Sequence, residues 1–244
     1  MRRIRFYLPQ PFQAGEVIRL DKAQAHYALN VLRLKNQHPI ELFDGQGQQA
    51  IGTLIVTGRR SADVCVEALE NCDRESPLHT ILLQGISKGD RMDYTLQKAV
   101  ELGITEIQPL FTQRCDVKLD DNKQQKRVQH WQGVIQSACE QSGRNVLPTL
   151  HAPQTLEAYW ATHPSLNGLV LHPEAEHSFK TLPDSLAQTP IHLLIGPEGG
   201  LTEDEVEVAQ THGLTATRLG PRILRTETAA PTILAALQAR WGDF

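Results

Sequence analysis

Two loops hold the residues whose types and spacing suit chemistry. One reads Ile195-Gly196-Pro197-Glu198-Gly199-Gly200, the other Leu219-Gly220-Pro221-Arg222-Ile223-Leu224-Arg225-Thr226-Glu227-Thr228-Ala229. Each joins an apolar, strand-like run to a helix-like run through glycine and proline. Glycine permits positive φ and close approach of a bound molecule, while proline stiffens the turn and withholds a donor. Paired loops of this build can offer several backbone N–H and C=O groups to one small molecule.

The loops also restrict the ligand. A helix opened at Thr202 offers free N–H groups and a positive dipole end, which suits phosphate. Yet the chain has no G-x-x-x-x-G-K-[ST] or G-x-G-x-x-G there, and no lysine beside the loop. Glu198 and the run Glu203-Asp204-Glu205 repel an anion. A cationic or zwitterionic ligand with an adenine to bind on backbone groups fits better, and the sulfonium of S-adenosylmethionine is one.

The elements that must position these loops alternate. Thr80–Ile86, Ile104–Leu110, Leu169–Leu171, Ile191–Ile195 and Thr215–Leu219 read as short strands. Helices are expected over Tyr94–Leu102, with Leu96, Ala99 and Val100 on one face, and around Val128, Trp131, Val134, Ile135 and Ala138. Two more run from the capping box Thr202–Glu205 to Gly213, and from Thr228 to Trp241. Such alternation predicts an α/β domain with a mostly parallel sheet and helices on both faces. Ligands of these sheets bind outside the carboxyl ends of the strands, where both loops and Leu171-His172-Pro173 fall.

Residues 1–72 read differently, as a separate strand-rich module followed by a domain over 73–244. Asp21–Leu34 has one apolar helix face. Ile40–Phe43, Ile51–Thr57 and Ala62–Leu69, punctuated by Asp44-Gly45 and Gly58-Arg59-Arg60, predict consecutive antiparallel strands of a small barrel. The polar stretch Asp73–Pro77 is the boundary.

Composition excludes some classes. The chain has 244 residues, 40% apolar and 21% charged, as an ordinary globular protein does. No apolar run approaches the roughly 20 residues of a membrane span, and Met1-Arg2-Arg3-Ile4-Arg5-Phe6 is basic but lacks the apolar stretch and cleavage site of a secretory signal, so none is expected. Cys65, Cys72, Cys115 and Cys139 have no zinc-type spacing, so no metal site is expected and free thiols in a reducing cytoplasm are. The net charge of −4 hides an asymmetry: residues 1–35 hold seven basic side chains against two acidic, +5, which leaves −9 for the rest. A basic N-terminal part can dock RNA phosphates or simply form a solvated face.

The two loop strings resemble the signature loops of the SPOUT methyltransferases, specifically the RsmE family. The resemblance extends to Arg91–Gly103, to Ala138-Cys139-Glu140-Gln141-Ser142-Gly143-Arg144, and to the N-terminal His26, Val31-Leu32-Arg33 and Leu42-Phe43-Asp44-Gly45. Asn36-Gln37-His38-Pro39 replaces the Gly-Asp turn that the family pattern leads one to expect. The resemblance implies methylation of N3 of one uridine in 16S ribosomal RNA, within the small subunit. It also implies a PUA-like N-terminal barrel, a C-terminal domain tied in a trefoil knot, and a homodimer.

On that footing Gly196, Pro197, Gly199, Gly200, Leu219, Gly220, Ile223, Leu224 and Thr228 are expected to bind S-adenosylmethionine, with Leu171 packed nearby. A valine at Gly199 is expected to fill the close-approach site and abolish cofactor binding while the fold persists. Arg225 and Arg144 are candidates for stabilising negative charge on the uracil, and Glu198 for accepting its proton. Arg2, Arg3, Arg5 and Arg33 are the RNA-binding candidates. Other readings stay open: Glu198 as a cap or an ion-pair partner, and Glu227 and Thr228 merely opening the last helix. A non-catalytic ribosome assembly factor, a SPOUT enzyme with another RNA target and an adenine-nucleotide phosphotransferase are the rival functions.

Overall fold

The computed structural model describes residues 4–116 and 121–244. Contacts divide the chain into two compact units. The first runs up to Glu75 and takes in Cys139–Leu147, and the second comprises Ser76–Ala138 and Pro148–Phe244. The division falls inside the polar stretch Asp73–Pro77, three residues beyond the expected 72/73. The return of Cys139–Leu147 to the first unit has no compositional signal, because it continues a helical run.

The first unit is a five-stranded sheet. Strands β1 (Ile4–Tyr7), β2 (Val17–Arg19), β3 (Pro39–Phe43), β4 (Gln49–Gly58) and β5 (Ser61–Glu70) lie in the order β1-β3-β4-β5-β2. The turn signals are obeyed: β3, β4 and β5 pair antiparallel in sequence order, while β1 joins parallel to β3. Alternation along β5 sends Ala62, Val64 and Val66 inward against Phe6, Phe12, Ile40, Leu42 and Leu54. Helix α1 (Lys22–His26) starts at a capping box of Asp21 and Gln24 and continues as a π-helical segment, Tyr27–Val31.

Arg5 is a correction to the RNA-binding set. Its guanidinium is buried, with Nε 2.6 Å from Glu41 in an ion pair not aligned for a hydrogen bond. It donates to the carbonyls of Cys139 and Arg144 at 3.1 and 3.3 Å and to Asn145 Oδ1 at 2.5 Å. The alternation of β1 decides this: Ile4 and Phe6 take the core-facing register, so Arg5 points to the opposite face, where the Cys139–Asn145 segment covers it and it must be paired. Arg33 is exposed and sits in the left-handed region, φ 53°. Arg2 and Arg3 lie outside the described residues.

The second unit is built on a parallel sheet. Its elements are β6 (Thr80–Gly85), α2 (Asp90–Glu101), β7 (Glu106–Phe111), α3 (Asp121–Ser142), β8 (Thr149–Leu150), β9 (Gln154–Thr155) and α4 (Leu156–Thr162). They are followed by β10 (Gly168–Leu171), β11 (His177–Ser178), β12 (Ile191–Ile195), α5 (Glu203–Thr211), β13 (Leu214–Arg218) and α6 (Thr226–Trp241). The order is β11-β13-β10-β12-β6-β7-β8, with β9 also on β7, and every pairing is parallel. Strand β6 is buried along its whole length, as a central strand covered on both faces must be. Because β13, β10, β12 and β6 are neighbours, the loops leaving their carboxyl ends crowd together.

At the opposite, amino ends of the strands, Glu106 Oε1 and Oε2 meet His79 Nε2 at 2.9 Å and His151 Nε2 at 2.7 Å. Burial raises the Glu106 carboxyl, but the two imidazoles outweigh it and hold the group below its ordinary value. A lowered folded value means stability present above the unfolded value and lost as pH falls through the folded one. Wild type is therefore expected to lose about 1 kcal/mol relative to Glu106→Gln between neutral pH and the acid side of the glutamate range, read by urea titration at each pH. A pH-independent gap between the two would refute this.

Candidate active site

The crowded loops enclose a cavity of about 580 Å³, inside the range of roughly 300–1,000 Å³ usual for small-molecule sites. Its floor is Ile195–Leu201 after β12, one wall is Leu219–Thr226 after β13, and another is Leu171–Glu174 after β10. The two Gly-Pro loops are shaped from beneath. A Cβ on Gly85, the last residue of β6, would lie 2.6 Å from Pro197 Cδ and 2.7 Å from its nitrogen. Gly85 thus lets the first loop settle onto β6. Gly200 supplies the turn itself with φ 71°.

A polar network ties the loops together. Thr226 Oγ1 donates to the Gly196 carbonyl at 2.7 Å and receives Gln84 Nε2 at 3.1 Å. One buried hydroxyl thereby joins the ends of β6 and β12 to the start of α6. Arg114, just past β7, donates from Nη1 to the carbonyls of Gly199 and Leu201, both at 3.2 Å. Glu205 completes the expected capping box with Thr202 and also receives the Gln113 N–H at 2.8 Å. The second loop is held far less: among the described residues, no hydrogen bond within the protein uses the backbone N–H of Leu219, Gly220, Ile223 or Leu224.

Charges alternate around the mouth. Glu198 Oε1 receives the Lys88 N–H at 2.9 Å and Arg91 Nη1 at 2.8 Å. Arg91 Nε lies 3.9 Å from Glu227, and Arg225 Nη1 lies 3.9 Å from the same carboxylate. Burial raises the Glu198 carboxyl, but the Lys88 N–H and Arg91 together hold it below the ordinary glutamate value. A carboxylate stabilised in its charged form is a poor proton acceptor at neutral pH. The ion-pair reading of Glu198 fits this geometry.

Comparison with known proteins gives a matching answer. Residues 74–238 match the family described as RNA methyltransferase domain, and residues 20–67 the RNA methyltransferase PUA domain. Ribosomal RNA small subunit methyltransferase E of Buchnera aphidicola (Schizaphis graminum) is 33% identical, over 98% of this chain and 97% of its own. The Neisseria gonorrhoeae enzyme of that name, solved with S-adenosyl methionine, superposes with a TM-score of 0.90 at 38% identity over the whole of both chains. A Legionella pneumophila structure with bound cofactor SAM gives 0.95 at 37%, again over both whole chains. The chain belongs to the RsmE family.

Within this RsmE-family chain the structure brings most of the expected site residues together. Leu171, Gly196, Pro197, Gly199 and Gly200 line the cavity, as do Leu219, Gly220, Ile223 and Leu224, and so do Glu198 and Arg225. Thr228 does not. Helix α6 starts at Thr226, two residues earlier than expected, so Thr226 faces the loop and Thr228, on the other side of the same first turn, is exposed. Arg144 is a further correction. It belongs to the first unit, is buried, and pairs with Glu75 at 2.6 Å through Nη2 and 2.8 Å through Nε. It does not line the cavity.

Sequence reasoning missed Arg91, Arg114, Gly85 and Thr226. Arg91 stood in a recognised motif without a role, and its partner Glu198 is too distant in the chain for spacing to reveal. The expected close approach at Gly199 also changes its meaning. A Cβ there would meet Arg114 Cβ at 2.9 Å and its carbonyl at 3.2 Å, so the space it fills is Arg114's. Gly199→Val is accordingly expected to displace Arg114 and weaken S-adenosylhomocysteine binding about tenfold, the scale of one charged hydrogen bond, without abolishing it. Calorimetric titration checks this, and unchanged affinity would exclude the Arg114 clamp.

Proposed function

We propose that this protein is an S-adenosylmethionine-dependent methyltransferase acting on N3 of a specific uridine in 16S ribosomal RNA. Family membership supports the reaction class, and the observation that carries the cofactor is the cavity itself. Four backbone N–H groups of the Leu219–Leu224 loop are left for a ligand, and a glycine-rich loop faces them. Four carboxylates of the lining, Glu174, Glu198, Glu203 and Glu227, offset its four arginines, a balance that suits a zwitterionic molecule better than a phosphate.

The backbone of Leu219, Gly220, Ile223 and Leu224 would hold the adenosine and methionine parts, with Leu171 and the Gly196–Gly200 loop closing around them. Bound there, S-adenosylmethionine supplies an electrophilic methyl group and leaves as a thioether. The protein's share is alignment, exclusion of water, and stabilisation of the uracil as its N3 proton is lost to solvent. Exposed Arg33 would contact RNA phosphates from the first unit, together with Arg2 and Arg3.

The same reading places the substrate within the small ribosomal subunit and the protein in the cytoplasm, as a homodimer with a knotted C-terminal domain. No described helix is long and apolar enough to cross a membrane. Titration with S-adenosylhomocysteine is expected to give saturable binding, and ATP none. Mass mapping of small-subunit RNA from cells lacking the protein is expected to show one uridine without its N3 methyl group. An unchanged RNA would overturn the assignment.

A further inference from the structure

The lining contains four arginines, and the structure gives them different work. Arg114 is occupied by the carbonyls of Gly199 and Leu201. Arg222 and Arg225 lie on the exposed second loop, and Arg225, with its side chain 80% exposed, reaches only to 3.9 Å of Glu227. Arg91 stands on the first turn of α2 and is fixed from two sides, at 2.8 Å by Glu198 and at 3.9 Å by Glu227. Glu198 is in turn pinned by the Lys88 N–H. A guanidinium has five N–H donors in a planar fork, so two carboxylate contacts leave donors directed elsewhere.

We infer that Arg91 is the guanidinium that engages the oxygens of the target base, with Glu198 as its positioning residue. This rests on the methyltransferase reading and adds a named contact to it. Uracil loses its N3 proton to water before or during methyl transfer, and the charge left behind spreads onto the flanking carbonyl oxygens. A cation held in place before the reaction stabilises that charge without reorganising, which an exposed arginine with a single distant partner does less well. The Glu198–Arg91 pair also explains why a carboxylate poorly suited to accept a proton sits in the mouth. It aims the arginine.

The test compares Arg91→Ala and Arg91→Lys with wild type on small subunits lacking the methyl group. Arg91→Ala is expected to bind S-adenosylhomocysteine within about threefold of wild type, because no cofactor contact is assigned to Arg91. Its methyl-transfer rate is expected to fall by about 10²–10³-fold, the loss seen when one preorganised donor is removed. The rise of rate with pH, which follows loss of the N3 proton, is expected to move to higher pH in Arg91→Ala. Arg91→Lys, keeping the charge but not the fork, is expected to recover part of the rate and most of the shift.

A purely structural arginine would lower the rate without moving the pH profile, and that outcome overturns the inference. So does an Arg91→Ala rate within threefold of wild type, or a loss of cofactor affinity as large as the loss of rate. Wild type failing to bind S-adenosylhomocysteine or to methylate would instead sink the methyltransferase reading itself, so the two failures are distinguishable.

Discussion

Gly196→Val is expected to reduce S-adenosylhomocysteine affinity by at least a hundredfold while the protein remains folded. The added Cβ would lie 2.8 Å from the Gly200 carbonyl carbon, 2.9 Å from the Leu201 nitrogen and 3.1 Å from Gly200 Cα. All three neighbours are backbone, so no side chain can swing away to relieve the overlap. The Gly196–Leu201 turn must open instead, and the Gly196 carbonyl leaves the Thr226 hydroxyl. Displacement by the better part of an ångström is enough to disperse a preorganised set of contacts. Calorimetry measures the affinity and circular dichroism the fold. Affinity within threefold of wild type, in a folded variant, would show that the cofactor lies elsewhere. The contrast with the tenfold effect at Gly199 is itself informative, since the two glycines stand three residues apart and face different neighbours.

Arg5→Met is expected to destabilise the first unit by about 3–5 kcal/mol, the usual consequence of removing one partner of a buried ion pair. Glu41 would be left without its partner in a buried setting, and the Cys139 and Arg144 carbonyls and Asn145 Oδ1 would lose their donor. Methionine preserves much of the aliphatic bulk, so the loss reads the charge and hydrogen bonds and not a cavity. Replacing both partners, as in Arg5→Met with Glu41→Leu, is expected to restore most of the stability, because no ion is then stranded. Urea unfolding followed across these variants tests the assignment. An Arg5→Met protein as stable as wild type, but weakened towards RNA, would return Arg5 to the RNA-binding set.

How far the sequence could be read depends on what kind of signal each feature leaves. Local chemistry was legible. The capping box at Thr202 and Glu205, the antiparallel run β3-β4-β5, and both Gly-Pro loops lie where their residue types demand, since each is specified by neighbours a few positions away. Burial of charge was not legible. Arg5 and Arg144 look like surface cations in a one-dimensional string, and only their partners, 36 positions from Arg5 to Glu41 and 69 from Arg144 to Glu75, reveal them as interior. The start of α6 was misplaced by two residues because Thr226 and Thr228 are equally able to open a helix. The choice is made by the Gly196 carbonyl and Gln84, which no local pattern contains. Arg91 escaped for a related reason: its meaning comes from Glu198, brought near by the parallel stacking of β6 beside β12.

The buried Thr226 hydroxyl has a consequence for the life of the chain before it is finished. The cavity takes lining from Arg91 to Ala229, and its central knot of hydrogen bonds closes only when Thr226 reaches Gly196 and Gln84. During synthesis the strands that form the floor emerge long before the residue that locks them. Contacts of such long sequence separation also form slowly. A nascent or prematurely terminated chain therefore lacks a competent site, and modification of RNA waits for release of a full-length product. A fragment ending before α6 would lack the hydroxyl that joins the Gly196 carbonyl to Gln84 and so fixes the floor of the cavity.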